Sequence, residues 1–223
     1  MFKYFLVSTL IVSIAATIWA CSAATASVKV VPDPTLDAPL AKVKGEQTAV
    51  LAGGCFWGIE AVFENVKGVT DVKSGYSGGS PQDAQYDKVG TGETGHAESV
   101  KITYDPSQVT YGQLLKVFFS VAHDPTELNR QGPDTGTQYR SAIFYANEEQ
   151  KRIALAYVDQ LNKATAFPQP IVTEVAALQT FTDAEAYHQD YLINHPNEPY
   201  IVINDLPKVA NLRKLLPELC KTK

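Results

Sequence analysis

Cysteine and histidine are scarce: Cys21, Cys55 and Cys220, with four histidines, in a chain of 223 residues. Three cysteines cannot build a disulfide framework, and four scattered histidines offer no spacing of the zinc type. A structural metal is therefore not expected. Lys/Arg runs are also missing, and 19 basic residues against 24 acidic ones leave a net charge of -5. Such a surface gives no electrostatic footprint for nucleic acid and little for an anionic membrane. What is present, 45% apolar and 19% charged residues, suits one ordinary globular domain and excludes a disordered tail or a bundle of membrane helices.

One long uncharged run exists, Tyr4 to Ala20 after Lys3. It reads as a secretory signal within residues 1–26, with Ala24-Thr25-Ala26 placing the cut before Ser27. Ile18-Trp19-Ala20-Cys21 supports a competing reading, a lipid anchor at Cys21, although Trp19 fits a lipobox poorly. Both readings put the domain outside the cytoplasm, in the periplasm or at the cell envelope. Residues 27–47, with Pro32, Pro34 and Pro39, read as an extended linker. The folded domain is expected over 48–223, without internal repeats.

Thr48 to Ala52 is a small apolar run closed by Gly53-Gly54, the pattern of a strand buried on both faces. A helix follows, with Ile59, Val62, Phe63 and Val66 on one stripe and Gly68 as its stop. Val69 to Tyr76 and Glu98 to Tyr104 read as strands, Thr110-Tyr111-Gly112-Gln113 as a capping box opening a helix to Ala122, and Ser141 to Tyr145 as a strand. The order strand, helix, strand, strand, helix, strand is that of an α+β fold, the ferredoxin-like split βαβ two-layer sandwich. Further helices are expected from Asn147 to Lys163, from Thr182 to Leu192 and from Asp205 to Leu216, with a strand from Ile171 to Ala176. The stretches Ser77 to His96 and His123 to Tyr139 read as long polar loops, whose length suggests function.

Cys55 falls at the strand-to-helix junction, where free N–H groups and the helix dipole lower a thiol pKa from about 8.5 toward the range of about 3.5 to 7.5. It is either that or a small buried residue at a tight turn. Glu98 shares the parity of Val100, Ile102 and Tyr104, so its carboxyl points to the core side. There it is either a general acid of raised pKa or a strand-end carboxylate tied to backbone amides. Tyr86, His96, Asp134 and Tyr139 sit in the long loops, and Phe56 and Trp57 follow the cysteine directly.

Gly54-Cys55-Phe56-Trp57-Gly58, Gly95-His96-Ala97-Glu98, His123-Asp124-Pro125-Thr126 and Gly136-Thr137-Gln138-Tyr139-Arg140-Ser141 together closely resemble the A-type peptide-methionine sulfoxide reductases, from about Thr48 to Leu206. The resemblance implies that Cys55 attacks the sulfur of S-methionine sulfoxide, free or in proteins, and is left as a sulfenic acid. It implies that Glu98 protonates the departing oxygen, that Tyr86 and Tyr139 donate hydrogen bonds to it, and that Phe56 and Trp57 hold the substrate's methyl group with Asp134 nearby. No metal or organic cofactor is implied, and the enzyme is expected as a monomer served by a thioredoxin-like or other thiol donor. Family members often carry resolving cysteines in a glycine-rich tail. Here the one candidate is Cys220: either a mobile terminus brings it to the Cys55 sulfenic acid, or it ends a docked helix and does nothing, in which case an external thiol must attack Cys55 directly.

Two rivals remain at this level. One is another thiol enzyme, a peroxidase or a hydrolase with His96 or His123 as base. The other is a binding module that holds methionine through Phe56 and Trp57 without turnover.

Overall fold

The computed structural model describes residues 30–222. The signal segment and Cys21 lie outside the described residues. In chain order the elements are β1 (Gln47–Gly53), α1 (Phe56–Glu64), β2 (Val69–Ser77), α2 (Tyr86–Val89), β3 (Ala97–Tyr104) and α3 (Tyr111–Val117), which runs on through a π turn at Phe118–Ala122. A small hairpin of β4 (Arg130–Gln131) and β5 (Asp134–Thr135) precedes β6 (Ser141–Tyr145), α4 (Glu148–Lys163), β7 (Glu174–Ala177) and β8 (Phe181–Asp183). The chain ends with α5 (Tyr191–Asn194), a second π turn at Ile201–Asp205 and α6 (Leu206–Leu215).

The main sheet has the order β7-β6-β1-β3-β2-β8. Its centre, β6-β1-β3-β2, is antiparallel throughout. The crossover through α1 joins strands on either side of β3, and the one through α3 joins strands on either side of β1, which is the split βαβ arrangement expected. The added β7 lies parallel to β6, and β8 antiparallel to β2. Alternation along β1 explains its apolar run Ala49–Ala52. Ala49 and Leu51 join the main core with α1, α3 and α4, while Val50 and Ala52 join a second cluster with Ala97, Ala142 and Phe144 on the opposite face. The capping box at Thr110 forms: its hydroxyl accepts the Gln113 N–H at 3.1 Å, and the Gln113 side chain accepts the Thr110 N–H at 3.0 Å.

Several expectations are corrected. The described part of the proline-bearing stretch 27–47 has no regular structure before Gln47, which already belongs to β1, and it is tied to the domain. Val31 is buried and donates its N–H to Ser120 Oγ at 3.2 Å, Tyr157 donates to Pro32 O at 2.6 Å, and Asp37 accepts the Gly112 N–H at 2.9 Å. Thr182-Asp183-Ala184-Glu185 does not cap a helix. Glu185 spends its carboxylate on the Tyr76 hydroxyl (2.8 Å) and the Tyr86 N–H (2.9 Å), so the box cannot close, and Phe181–Asp183 pairs with β2 instead. Only a 3-10 turn at Ala186–His188 and the short α5 follow. β7 starts at Glu174 rather than Ile171. The two long loops are not structureless, since they carry α2, 3-10 turns and the β4–β5 hairpin.

Candidate active site

Cys55 is the N-cap of α1. Gly54 before it adopts φ +98°, and a Cβ there would fall 2.5 Å from the Gln131 side chain, so the chain can turn into the helix here only with glycine. Cys55 is 7% exposed, and the Trp57 backbone N–H favours its ionised form. The expectation of a lowered pKa is corrected. Burial pushes the thiol well above its ordinary value, Glu98 and Asp205 push the same way, and the helix-end N–H and Lys208 oppose them without prevailing. At rest the sulfur is a protonated thiol.

Glu98 stands opposite Tyr76 in the β2–β3 ladder and is 4% exposed. Its Oε2 accepts the Phe56 N–H at 3.1 Å, so strand β3 delivers the carboxyl to the helix turn that carries Cys55. The carboxyl is tied to a backbone amide and its pKa is nevertheless raised. Burial lifts its pKa to about 8, with Asp134 and Asp205 adding to the lift and the Phe56 N–H offsetting part of it. At neutral pH it keeps a proton.

Tyr86 opens α2, its backbone fixed by Glu185. Tyr139 ends the 3-10 turn Thr137–Tyr139. Burial and the neighbouring Glu98 raise both phenols, which therefore stay hydrogen-bond donors. Asp134 comes from β5 and accepts the Tyr200 hydroxyl.

Trp57 forms an aromatic wall with residues that sequence reasoning missed. Tyr191 stacks on it (centroids 3.7 Å apart, 7° between planes), Tyr200 meets it edge-on at 6.0 Å, and its Nε1–H donates to His188 Nδ1 at 3.2 Å. Phe56 was expected as a second wall. It is 1% exposed and packs beneath, against Tyr76 and His188. His188 and Tyr191 were hidden because 182–192 read as a capped helix, and Tyr200 lies beyond it in a stretch given no role; the signal was aromatic density, Tyr187-His188 and Tyr191 to Tyr200.

Cys220 lies elsewhere. It bridges Val66, beyond the C-terminal end of α1, with Lys67 N–H donating to Leu219 O at 2.7 Å and Lys221 N–H to Asn65 O at 2.8 Å. At 1.5 Å rise per residue, that is roughly 15 Å from Cys55, against the ~7 Å between Cα atoms that a disulfide permits. Of the two readings of Cys220, the docked one describes its place: Leu216 and Leu219 are buried and pin the segment.

His96 and His123 are likewise committed away from the sulfur. The His96 ring contacts Ser80 O and the Gly79 N–H, and the His123 ring contacts Phe118 O and Ser141 Oγ, burial pushing its pKa down to about 3. Among the described residues no group of three His, Cys, Asp or Glu side chains is arranged to hold a metal ion.

With a carboxylic acid rather than an imidazole beside the sulfur, the site suits a thiol oxidoreductase that protonates an oxygen carried next to a small apolar group. Comparison with known proteins agrees. Residues 47–218 match the family described as peptide methionine sulfoxide reductase. The chain is 63% identical over 179 residues to a peptide methionine sulfoxide reductase of Mesorhizobium japonicum, covering 80% of this chain and 92% of that one. It is 55% identical over 188 residues to one from Synechocystis, covering 83% and 88%. Among solved structures, methionine sulfoxide reductase A of Corynebacterium diphtheriae superposes with a TM-score of 0.58 at 37% identity, covering 75% of this chain and 84% of that one. Reduced Mxr1 of Saccharomyces cerevisiae gives 0.62 at 32% identity, covering 73% and 92%. The chain belongs to the peptide methionine sulfoxide reductase family. It is an oxidoreductase that reduces methionine sulfoxide and so repairs oxidised proteins.

Proposed function

We propose that Cys55 is the nucleophile and Glu98 the acid in the reduction of S-methionine sulfoxide. The observation that carries this reading is the hydrogen bond from Phe56 N–H to Glu98, which fixes a protonated acid on the helix turn that presents the thiol. The sulfoxide methyl packs on Trp57, and the oxygen faces Glu98 and the Tyr86 and Tyr139 hydroxyls. Cys55 Sγ attacks the substrate sulfur as Glu98 gives its proton to the oxygen, and the thiol proton returns to Glu98. The sulfur–sulfur bond made in the attack and the S–O bond of the substrate then break as the hydroxyl passes to Sγ and an S–O bond to Cys55 forms. Methionine leaves reduced by two electrons, and Cys55 becomes a sulfenic acid oxidised by two.

Return to the thiol requires a second thiol. The distance to Cys220 favours attack by an external donor, a dithiol protein of thioredoxin type or a small thiol, on Cys55 itself. Cys220 would serve only after residues 216–221 had left their dock. Residues 1–26 support export, with a repair role on envelope proteins; fractionation that recovers the protein from cytosol alone would refute this.

The experiment is methionine formation from separate S and R epimers of a blocked methionine sulfoxide with excess dithiothreitol. S-selective turnover, lost in Cys55→Ser, is expected. Turnover of neither epimer by the folded protein would defeat the reading.

A further inference from the structure

Asp205 ends the second π turn and stands at the start of α6, a position where an aspartate normally caps the helix with its side chain. Here it does not cap. The carboxyl turns inward and is fully buried, with Oδ1 bound to Lys208 Nζ at 3.1 Å and Oδ2 left without a partner. A buried carboxylate oxygen without a partner is unfavourable, so the placement of this pair calls for an explanation. The pair sits on the first turn of α1: a Cβ added at Gly58 would fall 2.1 Å from Asp205 Oδ1 and 2.8 Å from Lys208 Nζ. Gly58 is thus bare because charge is brought against the turn that Cys55 caps.

We propose that Lys208, anchored by the buried Asp205, is a positioning residue that supplies the positive charge supporting the Cys55 thiolate as it forms. The titratable and charged groups that act electrostatically with the sulfur are Glu98 from β3, Tyr86 from α2, Tyr139 from its 3-10 turn, Tyr191 from α5, Tyr200 beside the second π turn, and the Asp205–Lys208 pair. All but Lys208 are acids, so among the described residues Lys208 is the cation acting on the thiol. Asp205 has two opposing effects: its own charge disfavours the thiolate, while its Oδ1 keeps a flexible ammonium from swinging to solvent. This rests on Cys55 being the nucleophile.

The test reads the pH dependence of Cys55 alkylation by iodoacetamide, followed by mass at that residue, in the full chain. Lys208→Met should move the midpoint up by about one pH unit, slowing alkylation at neutral pH roughly tenfold and lowering kcat with little change in KM. Lys208→Arg should restore both. Asp205→Asn, which removes the anion and keeps an acceptor for Lys208, should move the midpoint down. Opposite signs in variants with native thermal transitions are the result expected. Midpoints that shift together, or not at all, would overturn the proposal. Turnover surviving in Cys55→Ser would instead overturn the reading of the nucleophile and leave the alkylation midpoints as measured.

Discussion

Glu98 Oε2 accepts the Phe56 N–H at 3.1 Å, one residue past Cys55. A strand residue and a helix N-terminus are thereby locked together, which holds the Glu98 carboxyl on the turn that Cys55 caps. Burial, which lifts both groups above their ordinary pKa values, leaves two protons at the site at neutral pH.

The acid function predicts a pH profile. Glu98 must be protonated to donate, and its pKa is raised to about 8, so kcat should fall as pH rises through that value. Glu98→Gln should lose about 10²- to 10⁴-fold in kcat and lose this alkaline limb with it. A variant that keeps wild-type kcat and the same limb would assign the proton to another group.

Cys220 should be silent in recycling. Single turnover without reductant should leave a Cys55 sulfenic acid that dimedone traps, with the Cys220 thiol still free by mass analysis. Cys220→Ser should turn over at the wild-type rate with dithiothreitol. Rapid loss of both thiols to an intramolecular disulfide would show that the 216–221 dock opens during catalysis.

A second group of carboxyls predicts how stability varies with pH. Glu60 is raised to about 7 and Glu64 to about 8, burial leading in both cases and Asp190 adding. A carboxyl whose folded pKa is raised stabilises below its unfolded value of about 4.5, and that stability is lost as pH rises through the folded value. The thermal midpoint should therefore decline between about pH 4.5 and 8. Glu64→Gln should recover a few degrees at pH 8 and none at pH 4.5. An equal gain at both pH values would mean that charge at Glu64 is not the cause.

Where local signals were self-sufficient, the sequence revealed the structure. The alternation in β3, the Thr110 capping box and the Gly53-Gly54 punctuation each depend on residues a few positions apart, and each forms as read. Thr182 to Glu185 carried an equally good capping pattern and failed, because Tyr76 and Tyr86, about 100 residues upstream, take the Glu185 carboxylate. The Cys55 pKa misled for a related reason. Its helix-end contribution is local and visible in sequence, whereas the burial that outweighs it comes from the whole fold. Asp205 and Lys208 gave no signal beyond an ordinary i, i+3 pair, since their meaning lies in the Gly58 they face.

The most direct test of the account is a single turnover of one equivalent of S-methionine sulfoxide with reduced enzyme and no added thiol. One methionine per chain, with one added oxygen located on Cys55 and none formed by Cys55→Ser, is the predicted result. Methionine formed without oxidation of Cys55, or an oxygen found on another residue, would contradict it.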